Sequence, residues 1–151
     1  MSHSNVASIN ESVQKTQIWL KELVETGVFE NENQAYSGLR AVLHTLRDRL
    51  PVNEAVHLAS ELPMVVRGFY YEGWKPASVP VKIRTPAEFD EAVRVRLLHG
   101  GDFDVRAAIR TVLQLLDRRV SGGEIRQIRE TLPAELRQLW PAPSAEPVAA
   151  R

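Results

Sequence analysis

The chain has 151 residues, 44% of them hydrophobic and 25% charged, with nineteen Lys and Arg against nineteen Asp and Glu. That length suits one ordinary domain with a real core, and the composition is globular rather than disordered. Balanced charge leaves no global field for nucleic acid, and the lack of cysteine excludes disulfides and thiolate chemistry.

Residues 1–8 read as a flexible N-terminus, and Ser8-Ile9-Asn10-Glu11 reads as a capping box opening the first helix. Ile9, Val13, Leu20, Leu23 and Val24 follow at helical spacing, with Trp19 at the edge of the stripe. Gly27 supplies a left-handed end, and Asn31 with Gln34 starts the next helix. That helix carries Ala35, Leu39, Val42, Leu43, Leu46 and Leu50 and stops at Pro51. Asn53 helps open a short third helix with Ala55, Leu58 and Leu62 inward, and Pro63 fits the first turn of a fourth. Gly73 to Arg84, with two prolines and the alternation Val79, Val81, Ile83, reads as an extended surface connector.

The grammar then repeats. Thr85-Pro86-Ala87-Glu88 combines an N-cap, a proline at the first helical position and a capping-box glutamate. Phe89, Val93 and Leu97 line that helix, and Gly100-Gly101-Asp102 ends it and caps the next. The following stripe is Val105, Ile109, Val112, Leu113, Leu116 and Val120; Ser121-Gly122-Gly123-Glu124 reads as another capping box. Thr131 and Pro133 start a last helix with Leu136, Leu139 and Trp140 inward, and 141–151 has the composition of a disordered tail.

Residues 109–140 lie over 39–70 without a gap, with Arg40/Arg110, Val42/Val112, Leu43/Leu113, Leu46/Leu116, Arg49/Arg119, Glu54/Glu124, Leu62/Leu132, Pro63/Pro133 and Arg67/Arg137 identical. The expected fold is all-α: two tandem four-helix repeats, about eight helices, packed as one pseudo-symmetric domain over 9–140. Repeat one covers 9–72, the connector 73–84 and repeat two 85–140.

The run from Leu39 to Trp74, together with Leu132-Pro133-Ala134-Glu135-Leu136-Arg137-Gln138-Leu139-Trp140-Pro141, resembles the bacterial domain-of-unknown-function family numbered 2267. The resemblance covers the chain from about Trp19 to Pro141. It implies an all-helical, duplicated, cytoplasmic bacterial domain, and it brings no catalytic residue or cofactor to carry across.

Candidate chemistry is sparse. His44 and His57 sit beside the apolar stripes and neither stands in an HExxH pattern, so both read as partly exposed surface histidines rather than metal ligands. Asp102-Phe103-Asp104 is more simply a helix start than a cation site. No serine stands in GxSxG, and no convergent acid, base and nucleophile set is visible. No catalytic, cofactor or metal residues are therefore assigned. Arg49 with Glu54, and Arg119 with Glu124, bracket the same turn in both repeats and are expected to pair across it. Tyr71, Trp74 and Lys75 fall where the repeats differ most and are the candidate contact for another protein or a second copy of the chain. The expected function is a non-enzymatic helical interaction or scaffold module. The alternative is nucleic-acid binding by the Arg-rich second repeat; an enzyme with a dispersed site ranks third. No membrane partner is expected, since no apolar run approaches the roughly 18 residues of a span.

Overall fold

A computed structural model describes residues 4–98 and 103–141, and among them it shows eight α-helices and no strand. The first four are α1 (Ala7–Glu25), α2 (Glu32–Arg49), α3 (Val52–Ser60) and α4 (Met64–Tyr71). The second four are α5 (Pro86–Arg96), α6 (Val105–Arg119), α7 (Gly122–Thr131) and α8 (Ala134–Arg137). Shifted by seventy residues, the end of α2 coincides with that of α6, and the starts of α3 and α4 with those of α7 and α8.

Contacts between the halves come in exchanged pairs. α2 packs on α5 while α1 packs on α6, and α2 meets α6 as α3 meets α7. One hydrophobic cluster runs through both halves, from Trp19 and Leu23 through Leu39, Leu43, Leu46 and Tyr70 to Ile109, Leu113, Leu116 and Trp140.

Local chemistry sets most boundaries. Thr85 accepts from the Glu88 amide while the Glu88 carboxylate accepts from the Thr85 amide, a complete capping box. Asn31 caps α2 through the Gln34 amide, and Gly27 ends the α1 turn at φ 85°. The duplicated arginines close the corners before α4 and α8. Arg67 donates to the Ala59 and Leu62 carbonyls, and Arg137 to the equivalent Arg129 and Leu132 carbonyls.

Four expectations need correction. α1 begins at Ala7, inside the stretch expected to be flexible, and Ser8 does not cap it; Val6 stands at the cap, and Ser4 and Asn10 bond to each other instead. Its buried face is Ser12, Thr16, Trp19 and Leu23, and Ile9 and Val13 are exposed. Trp19 and Leu23 anchor this face in the core, and on the same side Ser12 accepts from the Val65 amide in the first turn of α4. Pro63 sits at the cap of α4, one residue before its first turn, as Pro133 does for α8. The connector does not merely lie on the surface. Val81 donates to the Asp48 carbonyl, Arg49 reaches the Ile83 carbonyl, and Ile83 is buried. Residues Gly100 to Asp102 and the tail beyond Pro141 lie outside the described residues.

A candidate site at the junction of α3 and α7

Glu54 and Glu124 both stand at the third position of their helices, α3 and α7, which pack against each other. A glutamate there normally reaches back to the amide of the capping residue. Neither does so. Pro51 caps α3 and has no amide to offer. Ser121 caps α7, but its amide and hydroxyl both donate to the Glu61 carboxylate, at 2.7 and 2.9 Å. The capping box expected at Ser121 is therefore only half formed: the Ser121 hydroxyl accepts from the Glu124 amide and Glu61 supplies the reciprocal bond.

Released from capping, the two carboxylates converge. Glu54, His57 and Glu124 each place one ligand-capable atom within 4.8 Å of the others. Glu124 is only 6% exposed, and one oxygen of each glutamate is buried with no hydrogen-bond partner. Burial first, and the neighbouring Glu54 charge second, push the Glu124 carboxyl up to about 7; His57 acts in the opposite direction. Glu124 and His57 line a cleft of about 480 Å³ whose walls also include Glu61, Ser121 and Gln127.

The turn pairs expected from the repeat are not formed. Arg49 bonds to the Ile83 carbonyl, and Arg119 with Arg118 binds Glu22 of α1. Each arginine is the last residue of α2 or α6, and its acceptor there is supplied by the connector or by α1. Glu54 and Glu124 face each other instead. The brace that does recur in both halves is Arg67 and Arg137.

His57 is exposed, as expected, but belongs to the cluster. His44 is 5% exposed, not a surface residue, and its Nε2–H donates to the Phe69 carbonyl at 2.6 Å. Burial holds its imidazole below the ordinary value, so it serves as a neutral structural donor. The sequence does carry a signal for the junction: Glu54 and His57, three apart, share one face of α3, and Glu61 follows four residues on at its C-cap. What the sequence does not supply is Glu124, which is brought in by packing of the two halves.

Tyr71 and Trp74 stack with ring centroids 5.4 Å apart and pack at the edge of the core, half-buried, while Lys75 is exposed. The Trp74 indole nitrogen is buried without a partner. In the second half, Arg106 binds Asp90 bidentately at 2.6 and 2.8 Å, which together with the Arg118, Arg119 and Arg137 contacts engages much of the arginine surface. Among the described residues no helix is long and apolar enough to cross a membrane.

No curated protein matches the chain. The family model described as "Uncharacterized conserved protein (DUF2267)" matches residues 16–139. That span takes in all or part of each of the eight helices and the α3–α7 junction, and the chain belongs to this family.

Proposed function

We propose that the domain is a non-catalytic interaction module that receives an acidic, amphipathic segment of another protein. The observation that carries this reading is a cleft of about 460 Å³ between α1, the α3–α4 corner and the end of α6. Its apolar surface includes Ile18 and Met64, 50% and 48% exposed, beside the buried Trp19. Isolated exposed apolar side chains are ordinary, but two facing one concave surface are a docking feature. The rim carries more basic than acidic groups, Lys15, Arg67, Arg118 and Arg119 against Glu11 and Glu61; Arg118 and Arg119 share the single carboxylate of Glu22, and among the described residues Lys15 forms no ion pair. That excess of positive charge favours an acidic partner. Two of the cleft's hydroxyls have structural work, Ser12 accepting from the Val65 amide and Ser60 donating to the His57 carbonyl, and among the described residues no histidine lines the cleft to activate the third, Ser8, which supports a binding rather than a hydrolytic role.

Tyr71, Trp74 and Lys75 are the second reading, favoured by two half-exposed stacked rings beside a free-standing lysine. A photo-reactive residue introduced in native cells at Ile18, and separately at Lys75, separates the two. Cross-links from Ile18 to an acidic segment, lost in Lys15→Glu with Arg118→Glu, support the cleft. Cross-links from Lys75 alone move the contact to the aromatic surface, and their absence from both positions removes the interaction reading. Nucleic-acid binding by the second half is the third reading, and it predicts tight association that weakens steeply with added salt.

A further inference from the structure

We infer that Glu54, His57 and Glu124 form a site for one divalent cation of the zinc or manganese class, which fastens α3 of the first half to α7 of the second. Three side chains of ligating type converge with ligand atoms no more than 4.8 Å apart. A tetrahedral cation with bonds of about 2.0–2.1 Å holds its ligands roughly 3.3 Å apart, so closure requires small rotations about side-chain bonds. The exposed His57 and half-buried Glu54 have the freedom to make them.

The second observation is independent of proximity. Glu124 is buried, and its Oε2 has no hydrogen-bond partner; the Oε2 of Glu54 is in the same condition. A buried carboxylate oxygen without a donor is costly, and native structures rarely leave two such atoms together. The groups facing the cluster do not relieve it. Glu61 adds like charge and spends its own oxygens on Ser121, and Glu130 stands on the same cleft. Arg126 also lines that cleft but forms no ion pair with the cluster. A dication would neutralise both carboxylates and complete the coordination of their free oxygens.

The donor set decides the class. One imidazole nitrogen with two carboxylate oxygens suits borderline cations, whereas calcium and magnesium favour all-oxygen shells. Three protein ligands leave a fourth position for water. The cation would act mainly on folding and on the α3–α7 contact, because α3 and α7 come from different halves of the chain.

The test is titration of the full, chelator-stripped chain with zinc, manganese and magnesium chlorides, in a His3→Ala background so that chelation by the N-terminus cannot supply the signal. The expected result is one equivalent of zinc or manganese bound, with magnesium far weaker. At a hundredfold excess over Kd, Tm should rise by roughly 5–10 °C. His57→Ala, at an exposed position, and Glu124→Gln should each weaken binding by about tenfold or more and suppress the rise in Tm. Should Glu124→Gln fail to fold, His57→Ala decides alone, since no buried contact is lost with it. Cobalt serves as a spectroscopic probe, its visible absorption expected to change on His57→Ala. Absence of stoichiometric binding, or binding indifferent to His57→Ala, overturns the site; equal affinity for magnesium overturns the class.

Discussion

Glu124 retains a proton in the folded, metal-free chain over a pH range in which the unfolded chain has released it. Its folded value is about 7 against the ordinary 4.5, so this group's contribution to stability is fully present below about 4.5 and is lost as pH rises through about 7. Urea melts in chelator from pH 5 to 8 should therefore show a fall for the wild-type chain that Glu124→Gln lacks. At pH 8 the variant should be more stable, by about 1–3 kcal/mol. An equal slope in both proteins would place the titration elsewhere. Gly38 carries a second residue-scale consequence. A Cβ there would meet the Phe29 ring at 2.5 Å, and Phe29 is itself held edge-on against Phe103. Gly38→Ala, favourable to a helix in isolation, is expected to cost about 1–3 kcal/mol in a chemical melt.

Among the elements, the helices whose stripes follow the 3.6-residue period were legible in the sequence: α2 and α6 lie where apolar spacing puts them, and Asn31 caps α2 as expected, but the cap of α6 is Asp104, which accepts from the Ala107 amide, and not Asp102. α1 was misread in part: Leu23 is buried as its spacing predicts, but Trp19 lies inward rather than at the edge, and Ser12, accepting from the Val65 amide, takes the inward place expected for Ile9 and Val13. The α3 side of the junction was legible, but the arrival of Glu124 beside it was not. A glutamate at the third helical position reads as a cap, and only the absence of an amide at Pro51 and the capture of the Ser121 amide by Glu61 free it for other work. Corner bracing gives a direct test at this scale. Arg137→Met should leave the Arg129 and Leu132 carbonyls short of a donor and lower stability by about 1–3 kcal/mol, with Arg67→Met costing at least as much at the more buried corner. Trp74→Ala should cost about 2 kcal/mol, less than a fully buried indole, because only part of its ring packs on the core.

For the whole molecule, the repeat in the sequence announces two units, while the exchanged packing of α1 on α6 and α2 on α5 makes each unit the cover of the other. Periodicity within one chain segment carries no information about which segment covers it, so this exchange was beyond sequence reading. Its consequence is cooperative dependence. A chain ending at Arg84 loses the helices that bury the inner faces of α1, α2 and α3, and it is expected to bind a hydrophobic dye and melt without a sharp transition. Cooperative unfolding of that fragment as a monomer would show two independent domains.

The meeting of Glu54 with Glu124 has a further meaning. If the halves are related by a two-fold axis, residues that correspond under a shift of seventy and lie within 4.8 Å of each other stand beside that axis. A half-length chain pairing with its twin would set the same glutamate against itself and present an identical imidazole or amide from either side. Here one side offers His57 and the other Gln127. Fusion into a single chain permits that inequality: a locus that identical partners must furnish symmetrically becomes one to which each side brings a different ligand.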